Sequence, residues 1–182
     1  MSLATQKKSE NIVEYVLFIW QMEDLVRAMY FDIDAISEFV RGFTPSEETA
    51  QEELAWFKNL IKSMKSERVE QRGHVSEIHE LIFELNYLHN TLLQVIKDNA
   101  YIEAYNLAQP NIKEYQQKTD GKTTNDVELC LTALYGLLVL RLKKEVISNE
   151  TQEAIQTFSN LMARLSAHYK KMKTGELNFS LN

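Results

Sequence analysis

Proline and glycine are scarce in this sequence, two and five among 182 residues, and cysteine occurs once. A β-rich chain of this length needs more turn residues, so the shortage argues for helices. The lone Cys130 excludes an intramolecular disulfide and any multi-cysteine metal site. It stands in an apolar run and reads as a small buried hydrophobe rather than a nucleophile. Basic charge is short as well: 26 acidic and 20 basic side chains leave a net charge of −6. Non-specific nucleic-acid binding needs a basic surface, and only the stretch from Arg164 to Lys173 supplies one. No apolar run is long enough for a membrane span of about 20 residues; the best, Leu129 to Leu142, contains Thr132 and Arg141. The opening MSLATQKKSE has no apolar leader core. A soluble cytoplasmic protein is expected, with neither membrane nor nucleic acid as partner.

Catalytic and metal signatures are missing too. None of His74, His79, His89 and His168 lies three residues after a glutamate, as di-iron bundles require. No two are four apart, as on the helix face of a zinc protease, and there is no Gly-x-Ser-x-Gly and no glycine-rich phosphate loop. No cofactor or metal is expected.

What the chain does have is helical periodicity. The first helix is expected from Ser9 or Asn11 to Tyr30, with Ile12, Tyr15, Val16, Ile19, Val26 and Tyr30 on one stripe. A short helix follows over Ile33 to Arg41. Thr44-Pro45-Ser46-Glu47 reads as a capping box that opens a helix to about Lys65. Ser66 to Gly73 is polar and reads as a loop. The stretch His74 to Lys97 carries the cleanest stripe, from Ile78 to Ile96. The next helix starts at Asp98 or Asn99 and is expected to break or kink at Pro110 before continuing to about Lys118. Thr119 to Asn125 reads as a flexible connection. Asp126 to Lys144 is apolar almost all round, and Gly136 within it suggests a close helix contact. Ser148 caps the last helix, and the tail 174–182 is expected to be loose. The expectation is an all-α single domain over 1–182, its core at about 9–172, built as a bundle of six to seven mostly antiparallel helices.

Polar residues placed where only apolar ones belong are the informative feature. Glu23 projects into the middle of the first stripe, between Val16, Ile19, Val26 and Tyr30, with Arg27 one turn on. Arg141 falls among Cys130, Leu134 and Leu137; His89 falls among Ile78, Ile82, Leu85 and Ile96. An unpaired carboxylate there costs several kcal/mol or takes up a proton. The simplest solution holds Glu23 by Arg27, Arg141 or both, with His89 or Glu128 nearby. Such a network either fixes helix register, Arg141 reaching outward near its helix end, or lines a pocket. Tyr101 and Tyr105 share a face beside Pro110 and are candidates for a groove.

Two segments carry a family resemblance: Asn-Ile-x-Glu-Tyr-x-Leu-x-x-Trp-Gln-x-Glu-Asp-Leu-x-Arg at Asn11 to Arg27, and Ala-Leu-Tyr-Gly-Leu-Leu-x-Leu-Arg-Leu at Ala133 to Leu142, followed by Ile147-Ser-x-Glu-Thr-Gln. In these the chain resembles an uncharacterised bacterial all-helical domain family of unknown function, over nearly its whole length. The resemblance implies an all-α domain of bacterial cytosolic origin and supplies no catalytic residue. The functional expectation is a non-catalytic protein acting through contact with a protein partner or a second copy of itself. The alternative is a small-molecule binder or hydrolase-like enzyme with a pocket lined by Glu23, Arg27 and Arg141, with His89 beside them.

Overall fold

A computed structural model describes residues 1–119 and 125–176; most of the expected Thr119–Asn125 connection and of the 174–182 tail lies outside the described residues. Among these there are eight α-helices, one π-turn and no strand, so the all-α expectation holds and the count of six to seven falls short. The helices are α1 (Leu3–Glu10), α2 (Ile12–Ala28), α3 (Ile33–Phe43), α4 (Glu47–Ser66), α5 (Ser76–Thr91), α6 (Asn99–Lys118), α7 (Asp126–Leu142) and α8 (Asn149–Lys173). The π-turn, Leu92–Ile96, prolongs α5 and ends on Lys97 in the left-handed region. Two compact units divide the chain, Met1–Glu80 and Leu81–Asn182.

In the first unit, the extra helix is α1. Its sequence has no apolar stripe, so periodicity does not reveal it. Ser2 caps it and its end is set by Asn11, whose extended backbone and side chain start α2. Glu53 on α4 is buried and accepts from the Leu3 amide, tying α1 down. Ile12, Val16 and Ile19 of α2 are buried, as are Ile36 and Val40 of α3 and Phe57 and Met64 of α4. Several boundaries differ from expectation: α3 runs on to Phe43 rather than Arg41, and α5 starts at Ser76 rather than His74. α2 stops at Ala28 because Tyr30 and Phe31 take positive φ, which turns Tyr30 out to 90% exposure instead of into the core. Ser46, not Thr44, caps α4: its side chain accepts from the Thr49 amide, while Thr44 closes α3 and donates to the Val40 carbonyl.

In the second unit, α6 runs unbroken through Pro110. Pro110 is exposed, so the Asn106 carbonyl deprived of its donor lies on a side that water reaches. Tyr105 Oη donates to Asp126 at 2.8 Å, placing the start of α7 beside the first half of α6. Asn111 meets Thr157 while Tyr101 meets His168, so α8 runs antiparallel to α6. Leu85, Leu88, Leu92, Ile112, Leu131 and Leu161 are among the side chains buried in this unit.

Candidate functional site

Three places in the fold gather chemistry, and of the four residues singled out by the helical wheel two lie in the first, one in the second and none in the third. The first surrounds Glu23, which is fully buried on α2. Its carboxylate accepts from His74 Nδ1 at 2.5 Å and from the Val75 amide at 2.9 Å. His74 stacks on Trp20, ring centroids 4.7 Å apart. Arg27, expected on Glu23, instead donates to Asp24 at 2.9 Å, to the Val69 carbonyl at 3.0 Å and to the Gly73 carbonyl. The reason is local: the loop from Val69 to Val75 passes over this end of α2 and presents carbonyls to the guanidinium and a donor pair to the carboxylate. Gly73 makes that path feasible with φ +87°, a conformation that side chains rarely adopt. At the far end of the loop, Ser76 donates its amide and hydroxyl to Glu67. Glu23 and Arg27 therefore clasp the α4–α5 connection. The Glu23–Arg27 pair expected from the wheel gives way to this arrangement.

His89, the second residue whose burial the stripe anticipates, lies in the second unit with Tyr101. His89 Nδ1 and Tyr101 Oη form a 2.7 Å hydrogen bond, both groups buried. Burial, the largest influence, lowers the His89 pKa below its ordinary value and raises that of Tyr101, so both stay neutral. Burial likewise lowers His168, although Asp98 lies 3.6 Å away, and keeps the nearby Cys130 thiol protonated. Arg141 stands exposed in the last turn of α7. Because α7 is apolar around most of its circumference, its pattern fixes no inward direction, and of the two readings offered for Arg141 its exposure agrees with the outward one.

The third place is a groove of about 780 Å³ among the second half of α6, the second half of α7 and the start of α8. Its walls are Tyr115, Ala133, Leu137, Leu140, Ile155 and Phe158, and its charged residues are Glu114, Lys118, Glu150 and Glu153. Gly136 faces open space here, with nothing within 4 Å of where a Cβ would lie, so the expected close helix contact at Gly136 is absent. None of Glu23, Arg27, His89 and Arg141 lines this groove. The lining residues went unnoticed in the sequence because Glu114, Lys118, Glu150 and Glu153 look like ordinary solvated charges. Gly136 is the one mark in the pattern.

Among the described residues, no group of three or more histidine, cysteine or carboxylate side chains is placed to hold a metal ion. Among the described residues, no helix is long and apolar enough to cross a membrane. The family model for Domain of unknown function (DUF4924) matches residues 1–176. No curated protein and no solved structure matches the chain.

Two outcomes follow from the buried polar groups. Glu23→Ala strips the Val75 amide and His74 of their acceptor and is expected to lower unfolding free energy by about 3 kcal/mol in urea titration. Glu23→Gln, which keeps one acceptor, should lose less; equal stability of all three proteins would contradict the clasp. For His89 and His168 the folded state disfavours the proton, so the unfolded chain binds more protons just below the ordinary histidine pKa. Their contribution is complete above about pH 6.5 and declines as pH falls below it. The urea midpoint should drop between about pH 7.5 and about pH 5.5, and less steeply in His89→Gln.

Proposed function

The chain belongs to the DUF4924 family, and because that description assigns no activity, we propose from geometry that this is a non-catalytic binding protein holding a small molecule between α6, α7 and α8. The observation that carries the reading is the groove: about 780 Å³, walled by apolar side chains and edged by a few charged ones. Ligand sites fall at roughly 300–1,000 Å³ with this division of labour. Clusters suited to acid–base chemistry lie elsewhere and are occupied structurally: Glu23 by His74 and Val75, His89 by Tyr101. Residence in a bacterial cytoplasm belongs to the same proposal, supported by the sequence resemblance and by a single buried cysteine.

Gly136→Leu tests it. The substitution favours the helix by up to about 1 kcal/mol and places a side chain where open space lies. The wild type should enhance Nile red fluorescence and Gly136→Leu should bind the dye about tenfold more weakly, with far-ultraviolet circular dichroism unchanged. Equal dye binding by both proteins would remove the groove as the site.

Contact with a second copy of the chain is a second reading, favoured by one side of α5. Phe83 and Tyr87 are 72% and 68% exposed, and Asn86 and Asn90 continue the same side, giving a strip of four neutral side chains between Glu80 and Glu84. A chain of net charge −6 meets its own copy with least repulsion through such a strip. Light scattering should give a dimer mass for the wild type and a monomer for Phe83→Ser/Tyr87→Ser. A monomeric wild type would end this reading.

A further inference from the structure

We infer that the α6–α7–α8 groove takes a ligand with an aryl or alkyl body and a single positively charged head, an organic amine. The inference rests on the groove being the binding site and assigns the chemistry of its occupant. The body follows from the wall. Tyr115 and Phe158 meet edge-on with ring centroids 6.4 Å apart, and Leu137 is buried beside them in the lining. Aromatic rings in that arrangement accept a further flat apolar group against an edge or face. Three of the neutral polar side chains there are already engaged: Asn111 Nδ2 donates to Thr157 Oγ1 at 3.1 Å, Thr157 Oγ1 donates to the Ala154 carbonyl at 2.6 Å, and Thr151 Oγ1 accepts from Ser148 Oγ at 3.0 Å. The wall therefore asks little hydrogen bonding of an occupant.

The head follows from the charges. Glu114, Glu150 and Glu153 face one ammonium, Lys118. That ammonium is bound to Glu114 at 2.6 Å and is held in its charged form by Glu114 first and by Glu150 as well. Glu150 and Glu153, three residues apart on α8, share a side of the helix, and among the described residues Glu153 has no ion-pair partner. The opposing influence is the positive end of the α8 dipole, which favours anions near Glu150. It amounts to about half an elementary charge and decays within the first turn, whereas the described side chains that line the groove leave an excess of two negative charges. The balance selects a cation. An amine placed between Glu150 and Glu153 would offset half of that excess while its body displaces water from the apolar wall.

Matched probes separate the class from the site. Phenylbutylamine, phenylbutanol and phenylbutanoate carry the same body with positive, neutral and negative heads. Calorimetric titration of the full chain should rank the amine above the alcohol by about fivefold and the alcohol above the carboxylate. Added salt should shrink the amine preference. Glu150→Gln/Glu153→Gln should remove that preference while leaving alcohol affinity unchanged, and Gly136→Leu should weaken all three. Equal binding of amine and alcohol, or tighter binding of the carboxylate, overturns the assignment of a cation and leaves the groove standing. If none of the three binds, or if Gly136→Leu changes nothing, the groove itself fails as the site.

Discussion

A single buried carboxylate sets the form of the first unit. Glu23 has no access to water, and a carboxyl group in that position needs its hydrogen bonds from protein. The bonds come from His74 and from the backbone of Val75, residues some fifty positions further along the chain. That demand dictates the course of the connection between α4 and α5. Gly73 has to turn in the left-handed sense, Arg27 is free to collect the loop's carbonyls, and Glu67 receives the first residue of α5. Removing the carboxyl group would leave an amide and an imidazole without their acceptor, and an apolar residue there would leave the loop no reason to follow this path.

The second unit handles buried polarity by the opposite device. His89, Tyr101 and Cys130 are all kept neutral by burial, and hydrogen bonding is shared between uncharged partners. Desolvation then costs only the protonation or ionisation that these groups forgo, which is why acid acts on this unit through its histidines. Tyr105 and Asp126 mark the edge of this centre, where a carboxylate accepts from a phenol near the surface and fixes the start of α7 against α6.

Much of this was legible in the pattern of residues, and the failures have specific causes. The α5 stripe and the burial of Glu23 and His89 follow from helical spacing, because amphipathic helices carry their phase in local sequence. The partners do not: His74 sits in a polar loop, and no periodicity connects it with Glu23. Arg27 at the right spacing for an ion pair was drawn off by backbone carbonyls, which leave no trace in composition. α1 was hidden by its lack of an apolar stripe. Tyr30 was misplaced by two residues of helix, since a left-handed turn at a tyrosine gives no warning in the sequence.

The groove resolves the most ambiguous stretch of the chain. α7 is apolar around nearly its whole circumference, which ordinarily means a helix enclosed on every side. Yet Gly136 lies against open space, and Leu137 and Leu140 reach the same hollow, from the buried floor to the exposed mouth. Part of the apolar surface of α7 is therefore not spent on other helices of the unit. Apolar surface left facing water in a helical protein is a cost that packing does not require here, since one larger residue at Gly136 would reduce it and improve the helix at once. A glycine at the centre of the hollow and leucines along its side are the composition that an occupant of the groove would use. The sequence feature that looked like simple core is better explained as the wall of a binding site.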